Sequence, residues 1–142
     1  MKDVITKEHV FPHAIDKVWK AITVAEEIST WFIKADFKAT KGYRYTFTAS
    51  EESGCTQITG EIKEADPYRL TYTWMVANTE VETTVTWVLS ETAEGTHLHL
   101  EHSGISKYAG ETAIQMFHSF NGGWDNCVSE LDQYLKQAIH AG

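Results

Sequence analysis

The carboxyl-terminal end of the chain has the pattern of one long amphipathic helix, and it follows a long stretch that alternates as β-strands do. From Glu111 to His140, apolar side chains recur mostly three or four positions apart, which places them on one helical face. These side chains are Ala113, Ile114, Phe117, Phe120, Trp124, Val128, Leu131, Leu135 and Ile139. Because a single helix must cover a large antiparallel sheet, we expect a hollow between them in which a small molecule can bind.

The stretch from Lys34 to His102 alternates apolar and polar residues and is divided by turn-forming residues. We expect turns at Lys41-Gly42, Ser53-Gly54, Asp66-Pro67, Ala77-Asn78 and Glu94-Gly95. Such short connections predict an antiparallel meander rather than strands that alternate with helices. The polar half of the alternation, Thr73 included, is assigned to solvent. The apolar half is assigned to the interior, and it comprises Tyr43, Tyr45, Phe47, Ile58, Gly60, Ile62, Leu70, Tyr72, Trp74, Val81, Val85, Trp87, Leu89, Leu98, Leu100 and His102.

The amino-terminal part predicts a strand followed by two short helices. Thr6 to Phe11 fits a strand, and a helix that opens at Ala14 places Ile15, Val18, Trp19 and Ile22 on one face. Thr23 and Glu26 have the spacing of a capping box, which predicts a second helix through Ile28. The predicted fold class is therefore α+β, with a curved antiparallel sheet of about six or seven strands wrapped around the long helix. Residues 1–142 show no repeat or linker, so we expect a single domain.

Charge and composition exclude several classes of partner. The chain has 12 basic and 20 acidic residues and a formal charge of −8, so it should repel nucleic acid and anionic membrane surfaces. Its first residues lack the apolar run of a secretion signal, and no segment approaches the length of a membrane span, so we expect a cytoplasmic protein with no membrane insertion. Cys55 and Cys127 are expected to be free thiols in a reducing compartment.

Several short motifs, in their order and spacing, resemble a known family. The motifs are Phe11-Pro12, Val18-Trp19, Ile22-Thr23, Trp31-Phe32, Gly60 with Asp66-Pro67 and Leu70, Thr84-Val85 with Leu89, the run from Gly95 to Gly104, and Gly123-Trp124 with Leu131 and Tyr134-Leu135. The chain resembles bacterial proteins similar to the C-terminal domain of activators of the Hsp90 ATPase, within the START-like, birch-pollen-allergen-like (SRPBCC) superfamily. The resemblance implies a helix-grip fold with a deep, mostly apolar cavity between the sheet and the last helix.

The aromatic content of the expected interior favours a ligand cavity over a closed core, because it is more bulk than a small core easily packs. The residues expected to line the cavity are Trp31, Tyr45, Phe47, Ile58, Tyr72, Trp74, Val85, Trp87, Leu100, His102, Phe117, Phe120, Asn121, Trp124 and Val128. We expect a small hydrophobic or aromatic molecule, lipid-like or polyketide-like, held by a non-catalytic carrier or sensor. No cofactor is expected.

Two other functions stay open. START-like relatives include cyclases that position a reactive chain with a few polar groups, and the candidate groups here would be His102, Tyr45, Tyr72, His118 and Asn121. The sequence contains no nucleophile motif, phosphate loop or dinucleotide fingerprint, so we assign no catalytic residue. The third possibility is a module that interacts with a chaperone, as the resemblance to Hsp90 ATPase activators implies.

Three local features have more than one interpretation. Apolar side chains keep one helical phase across Gly122 and Gly123, which favours a continuous helix with a kink or a close approach by the sheet at the glycines. The alternative is a helix that starts after Gly123, since glycine is costly inside a helix. His102 alternates with inward leucines, so it is either a buried, hydrogen-bonded histidine or a polar group that orients a ligand. His97, His99 and Glu101 share the opposite strand face and should point into solvent, so no metal site is assigned.

Overall fold

Seven antiparallel strands form one sheet in the part of the chain that the structure describes. The computed structural model describes residues 4–48, 57–76, 81–108 and 110–141, with side chains up to residue 136. The strands are β1 (Val4–Phe11), β2 (Lys34–Asp36), β3 (Arg44–Thr48), β4 (Gln57–Asp66), β5 (Arg69–Val76), β6 (Thr83–Thr92) and β7 (Gly95–Ser103). Their order across the sheet is β1-β7-β6-β5-β4-β3-β2. The consecutive strands β2 to β7 form the predicted meander, and β1 pairs with the last of them.

Three α-helices accompany the sheet in the described ranges, and their bounds are α1 (Ile15–Thr23), α2 (Ala25–Trp31) and α3 (Gly110–Ala141). A short 3-10 helix, Ile105–Lys107, precedes α3. The two short helices α1 and α2 connect β1 at one edge of the sheet to β2 at the other edge. The sheet curves around α3, which confirms the predicted α+β helix-grip architecture. None of the helices in the described ranges is long and apolar enough to cross a membrane.

Polar contacts hold α3 against β1, α1 and α2. The Lys7 ammonium on β1 lies 2.8 Å from the Asp125 carboxylate on α3. Near the far end of the helix, Lys17 Nζ donates to the backbone oxygen of Leu135 at 3.1 Å. The Tyr134 hydroxyl donates to the Glu27 carboxylate on α2 at 2.9 Å. The helix is therefore held at its middle by the edge strand and at its end by α1 and α2.

The alternation of the strands places their apolar side chains in the core. On β6, Thr83, Val85, Trp87 and Leu89 are buried, and the residues between them are half-buried. The polar tips of buried aromatic residues have partners: Trp31 Nε1 donates to Ala21 O at 2.8 Å, and Trp87 Nε1 donates to the Tyr72 hydroxyl at 2.9 Å. Burial of these rings therefore leaves neither donor without an acceptor.

The structure confirms that α3 is continuous through Gly122 and Gly123. It does not show the close approach that was one explanation for them. A Cβ atom added at either glycine would meet no atom within 4 Å. The close approach lies at Gly60 instead, where a Cβ would lie 2.0 Å from the backbone oxygen of Thr73.

Three other sequence predictions are wrong in detail. Thr23 does not cap α2, because it is the last residue of α1 and its hydroxyl donates to Trp19 O at 2.7 Å. Thr73 is buried rather than solvated, and its hydroxyl accepts a hydrogen bond from the Glu61 amide at 2.8 Å. Ile114 lies on the exposed side of α3, with 50% of its surface accessible.

The turn predictions have mixed outcomes. Residues 40–42 form a turn before β3, and the β4–β5 and β6–β7 connections fall at Asp66-Pro67 and Glu94-Gly95 as predicted. The turns predicted at Ser53-Gly54 and Ala77-Asn78, and the residue Cys55, lie outside the described residues. Ile139 lies in α3, but its side chain is also outside them.

Candidate functional site

A cavity of about 420 Å³ lies between the middle of α3, the strands β4 and β5, and the segment that follows α2. Its described lining residues are Phe32, Ile33, Ile58, Trp74, Val76, Met116, Ser119, Phe120, Gly123, Trp124 and Cys127. The volume falls within the range of about 300–1,000 Å³ that is typical of small-molecule sites. Ser119 and Gly123 are exposed, so the opening to solvent runs along α3.

The helix creates this space through a stripe of small side chains. Ser119, Gly123 and Cys127 follow one another at intervals of four, which aligns them on one face of α3. The large side chains of Phe120 and Trp124 lie on one side of the stripe and reach the sheet, where the Trp74 and Trp124 rings lie 5.2 Å apart between centroids. The hollow therefore lies where the helix presents little bulk, next to these two aromatic side chains.

The part of the lining that the structure describes is mostly apolar and carries no charge. The described lining residues include no carboxylate, ammonium, guanidinium or imidazole group. The Cys127 thiol is buried, and burial raises its pKa, so the sulfur stays protonated and neutral. A ligand that enters this cavity exchanges water for apolar walls, which favours an apolar and neutral molecule.

Trp74, one of the described lining residues, has a buried polar atom without a partner. The Nε1–H of Trp74 is buried and finds no hydrogen-bond acceptor among the described residues. Leaving such a donor unsatisfied costs about 1–3 kcal/mol.

A chain of hydrogen bonds behind the cavity fixes the Trp124 ring. Trp124 Nε1–H donates to His102 Nδ1 at 2.9 Å, and His102 Nε2 lies 2.6 Å from the Thr83 hydroxyl, which donates onward to Trp74 O at 3.1 Å. An indole nitrogen can only donate, so Nδ1 must be the acceptor and Nε2 must carry the proton. Burial lowers the pKa of His102 to about 4, which agrees with this neutral form.

The residues predicted to line the cavity fall into separate groups. Ile58, Trp74, Phe120 and Trp124 line the cavity. Trp31, Phe47, Tyr72 and Trp87 border a separate recess of about 10 Å³, which is no larger than about one water molecule. Tyr45, Val85, Leu100 and His102 are buried in the core and are not among the described lining residues. Phe117 and Asn121 are half-buried on α3, and Val128 borders a surface recess between α3 and β1.

Seven of the described lining residues were not among those predicted from the sequence: Phe32, Ile33, Val76, Met116, Ser119, Gly123 and Cys127. Those on α3 carry a signal that could have found them, because Met116, Ser119, Gly123 and Cys127 share the spacing of one helical face. Ile33 and Val76 border connecting segments, where periodicity gives no such signal.

His97 and His99, on the face of β7 opposite His102, lie apart from the cavity. His97 Nε2 lies 3.2 Å from the Glu8 carboxylate, and His99 Nε2 lies 2.9 Å from the Glu101 carboxylate. The hydrogen bond to Glu101 raises the pKa of His99. Within the described ranges, no group of three or more His, Cys, Asp or Glu side chains is placed to hold a metal ion.

Solved structures similar to this chain share its fold. A protein from Mesorhizobium loti, MLL2253, has 27% sequence identity and a TM-score of 0.83, with 94% of this chain and 97% of that chain covered. The Bacillus halodurans protein BH1534 has 27% identity and a TM-score of 0.75, with coverage of 95% and 97%. DynU16, a protein of the dynemicin biosynthetic locus, has 24% identity and a TM-score of 0.81, and this chain covers 49% of its length, with 97% of this chain matched.

A comparison with curated protein sequences gives no significant match. The family model described as "Activator of Hsp90 ATPase homolog 1-like protein" matches residues 12–136, a range that contains both the helix that lines the cavity and the strands that face it. The chain therefore belongs to the family of Activator of Hsp90 ATPase homolog 1-like proteins.

Proposed function

We propose that this chain binds a small hydrophobic or aromatic molecule, lipid-like or polyketide-like, in the cavity beside α3, and that it acts as a carrier or sensor. The protein would work as a single domain in the cytoplasm. The observation that carries the proposal is an apolar cavity of about 420 Å³ that opens along α3. Filling it with an apolar molecule would release water from the aromatic walls and stabilise the complex.

The state of the nearby polar groups supports a carrier rather than an enzyme. Tyr45, Tyr72 and His102 were the acid–base candidates of the interior, and none is among the described lining residues. Burial raises the pKa of Tyr45 and Tyr72 and lowers that of His102, so all three are neutral near pH 7. Each also makes a hydrogen bond within the protein. General acid–base catalysis needs a group that reaches the reacting atoms and titrates near the working pH.

Two adjacent glycines offer a matched test of the proposal. Gly122 and Gly123 both lie in α3, both are exposed, and a Cβ at either would meet no atom within 4 Å. Only Gly123 is among the described lining residues. Replacing either glycine by leucine raises helix propensity by a similar amount, whereas Gly123→Leu alone adds side-chain volume at the cavity.

The probe is N-phenylnaphthylamine, a neutral aromatic amine whose fluorescence rises in apolar surroundings. We expect wild type and Gly122→Leu to bind it with similar affinity, and Gly123→Leu to bind it at least about tenfold more weakly, a loss of about 1.4 kcal/mol. Equal affinity in all three proteins would show that the probe binds elsewhere, and the proposed site would be wrong.

A further inference from the structure

Phe32 borders two separate spaces of the protein. One is the cavity of about 420 Å³ beside α3, and the other is the buried recess of about 10 Å³. Among the described residues, Phe32 alone lines both of them. The recess lies between α1, α2 and the strands β3, β5 and β6, and its other lining residues are Ile22, Ile28, Trp31, Phe37, Phe47, Tyr72 and Trp87. Phe32 therefore lies at the boundary between the cavity and the interior of the protein.

The Phe32 ring packs against two walls of the recess. It stacks on the Trp31 ring at a centroid distance of 5.3 Å, and it meets the Phe47 ring edge to face at 5.7 Å. Trp31 is held in turn, because its Nε1–H donates to Ala21 O at 2.8 Å. Trp31 and Phe47 are buried, whereas Phe32 is half-buried and keeps accessible surface at the cavity that it lines. The ring thus separates the recess from the cavity.

The wall formed by Trp74 and Trp124 offers no comparable extension of the cavity. Both rings pack on the His102 ring, which has no exposed surface. Hydrogen bonds to Trp124 and Thr83 hold that imidazole in place. A longer cavity on this side would require these buried hydrogen bonds to break, which is costly. On the side of the recess it requires only the removal of one apolar ring.

We propose, on the basis of the function proposed above, that Phe32 determines the length of the ligand. Its ring closes the cavity against the recess, so the site takes a compact apolar molecule and gives no added affinity to a longer one. The recess holds no more than about one water molecule and offers a ligand no room by itself. Without the Phe32 ring, the recess and the volume of the ring would both join the cavity.

Linear primary alkanols from hexanol to tetradecanol test this assignment by displacing N-phenylnaphthylamine. Each methylene that finds room in the cavity should tighten binding by about fourfold, so affinity should rise with chain length and then level off. In Phe32→Ala the levelling should come at chains longer by about two methylenes or more, and the longest alkanols should bind at least about tenfold more tightly than to wild type. Phe117→Ala is the matched control, because Phe117 is also half-buried and belongs to neither described lining. It should level off where wild type does.

An NMR measurement on wild type keeps the test decisive even if Phe32→Ala does not fold. Bound dodecanol should show nuclear Overhauser effects to the Phe32 ring and none to Ile22 or Ile28, whose methyl groups line the recess. In Phe32→Ala, effects to Ile22 or Ile28 should appear.

Two results would overturn the role of Phe32 and leave the proposed cavity function intact. One is contact between dodecanol and Ile22 or Ile28 in wild type, and the other is a folded Phe32→Ala protein whose affinities level off at the wild-type chain length. Failure of both N-phenylnaphthylamine and every alkanol to bind wild type would overturn both proposals.

Discussion

At residue 102 the imidazole ring has no exposed surface, and both of its nitrogen atoms are engaged by neighbours. Trp124 donates to Nδ1, which leaves no lone pair there for a proton. Protonation of His102 would therefore place a second donor against the indole N–H and a charge in a desolvated site. The ring holds Trp124 in place at the cavity as long as it stays neutral.

This arrangement predicts a loss of stability on mild acidification. The pKa of His102 is about 4 in the folded protein, against an ordinary value of 6.5. Between these values the unfolded chain binds a proton that the folded chain does not, so the free energy of unfolding falls as pH decreases from 6.5 and levels off below 4. The contribution of this one residue should be about 3 kcal/mol over that window.

His102→Asn provides the comparison, because the asparagine carboxamide oxygen can accept from Trp124 but does not titrate in this range. The difference between the pH profiles of the two proteins, measured by urea unfolding, should show the predicted slope. An NMR titration of the imidazole nitrogens gives the pKa directly. A folded-state value close to 6.5 would contradict the account.

The sequence predicted that His102 points into the interior but not which residues form hydrogen bonds with it. Its alternation with Leu98 and Leu100 on β7 was enough to place it inside. Its partners Thr83 and Trp124 come from β6 and α3, and their contact depends on how the helix docks on the sheet. The unsatisfied Trp74 donor escaped prediction for the same reason, since it depends on the orientation of one ring.

At the scale of elements, α3 shows that the large apolar residues of a helical face are not the same residues as those that line a cavity. Periodicity correctly predicted a continuous helix whose residues Trp124, Leu131 and Leu135 are buried. A list of large apolar residues points to the packed part of such a face, whereas a cavity lies where the face carries small ones. Several predicted lining residues, such as Tyr45 and Leu100, therefore belong to the solid core, and Ser119, Gly123 and Cys127 line the space.

Gly60 on β4 lies so close to Thr73 on β5 that there is no room for a side chain, and this contact predicts how a substitution would change stability. A Cβ at Gly60 would lie 2.0 Å from Thr73 O and 2.7 Å from a ring carbon of Tyr45. Gly60→Ala must therefore displace backbone or break the hydrogen bond from the Tyr45 hydroxyl to Thr73 O. We expect a loss of about 3 kcal/mol in the free energy of unfolding, at the upper end for overpacking.

Gly122→Ala is the control for the Gly60→Ala substitution. Its new Cβ meets no atom within 4 Å, and the higher helix propensity of alanine stabilises the helix by up to about 1 kcal/mol. Denaturant unfolding should therefore move the two variants in opposite directions. A Gly60→Ala protein as stable as wild type would show that the β4–β5 contact is looser than described here.

At the scale of the whole molecule, the fold was predictable because each local pattern agreed with the others. The alternation of apolar and polar residues predicted the strands, and the short connections predicted that neighbouring strands run antiparallel. The one long amphipathic pattern predicted that α3 covers the sheet. The pairing of β1 with β7 could not be read from periodicity, since Val4 and Ser103 are far apart in the chain and meet only through the docked sheet. The position of the cavity depends on the same long-range packing.

Ligand binding should raise the stability of the whole fold. A molecule that binds the native state, present at a hundred times its dissociation constant, stabilises it by about 2.7 kcal/mol. For a chain of this length that corresponds to a rise in Tm of roughly 6–10 °C. N-phenylnaphthylamine should produce such a rise by calorimetry in wild type and in Gly122→Leu, and little or none in Gly123→Leu. A similar rise in Gly123→Leu would mean that the stabilising site is not this cavity.

The most direct test of the central claim, that a small apolar molecule binds in this cavity, is an NMR measurement of contacts between bound N-phenylnaphthylamine and methyl groups of the protein. We expect intermolecular nuclear Overhauser effects to Ile58, Val76 and Met116, which line the cavity. We expect none to Leu100 or Ile62, which are fully buried in the packed core. Contacts confined to surface methyl groups such as those of Val10 and Val24 would contradict this claim.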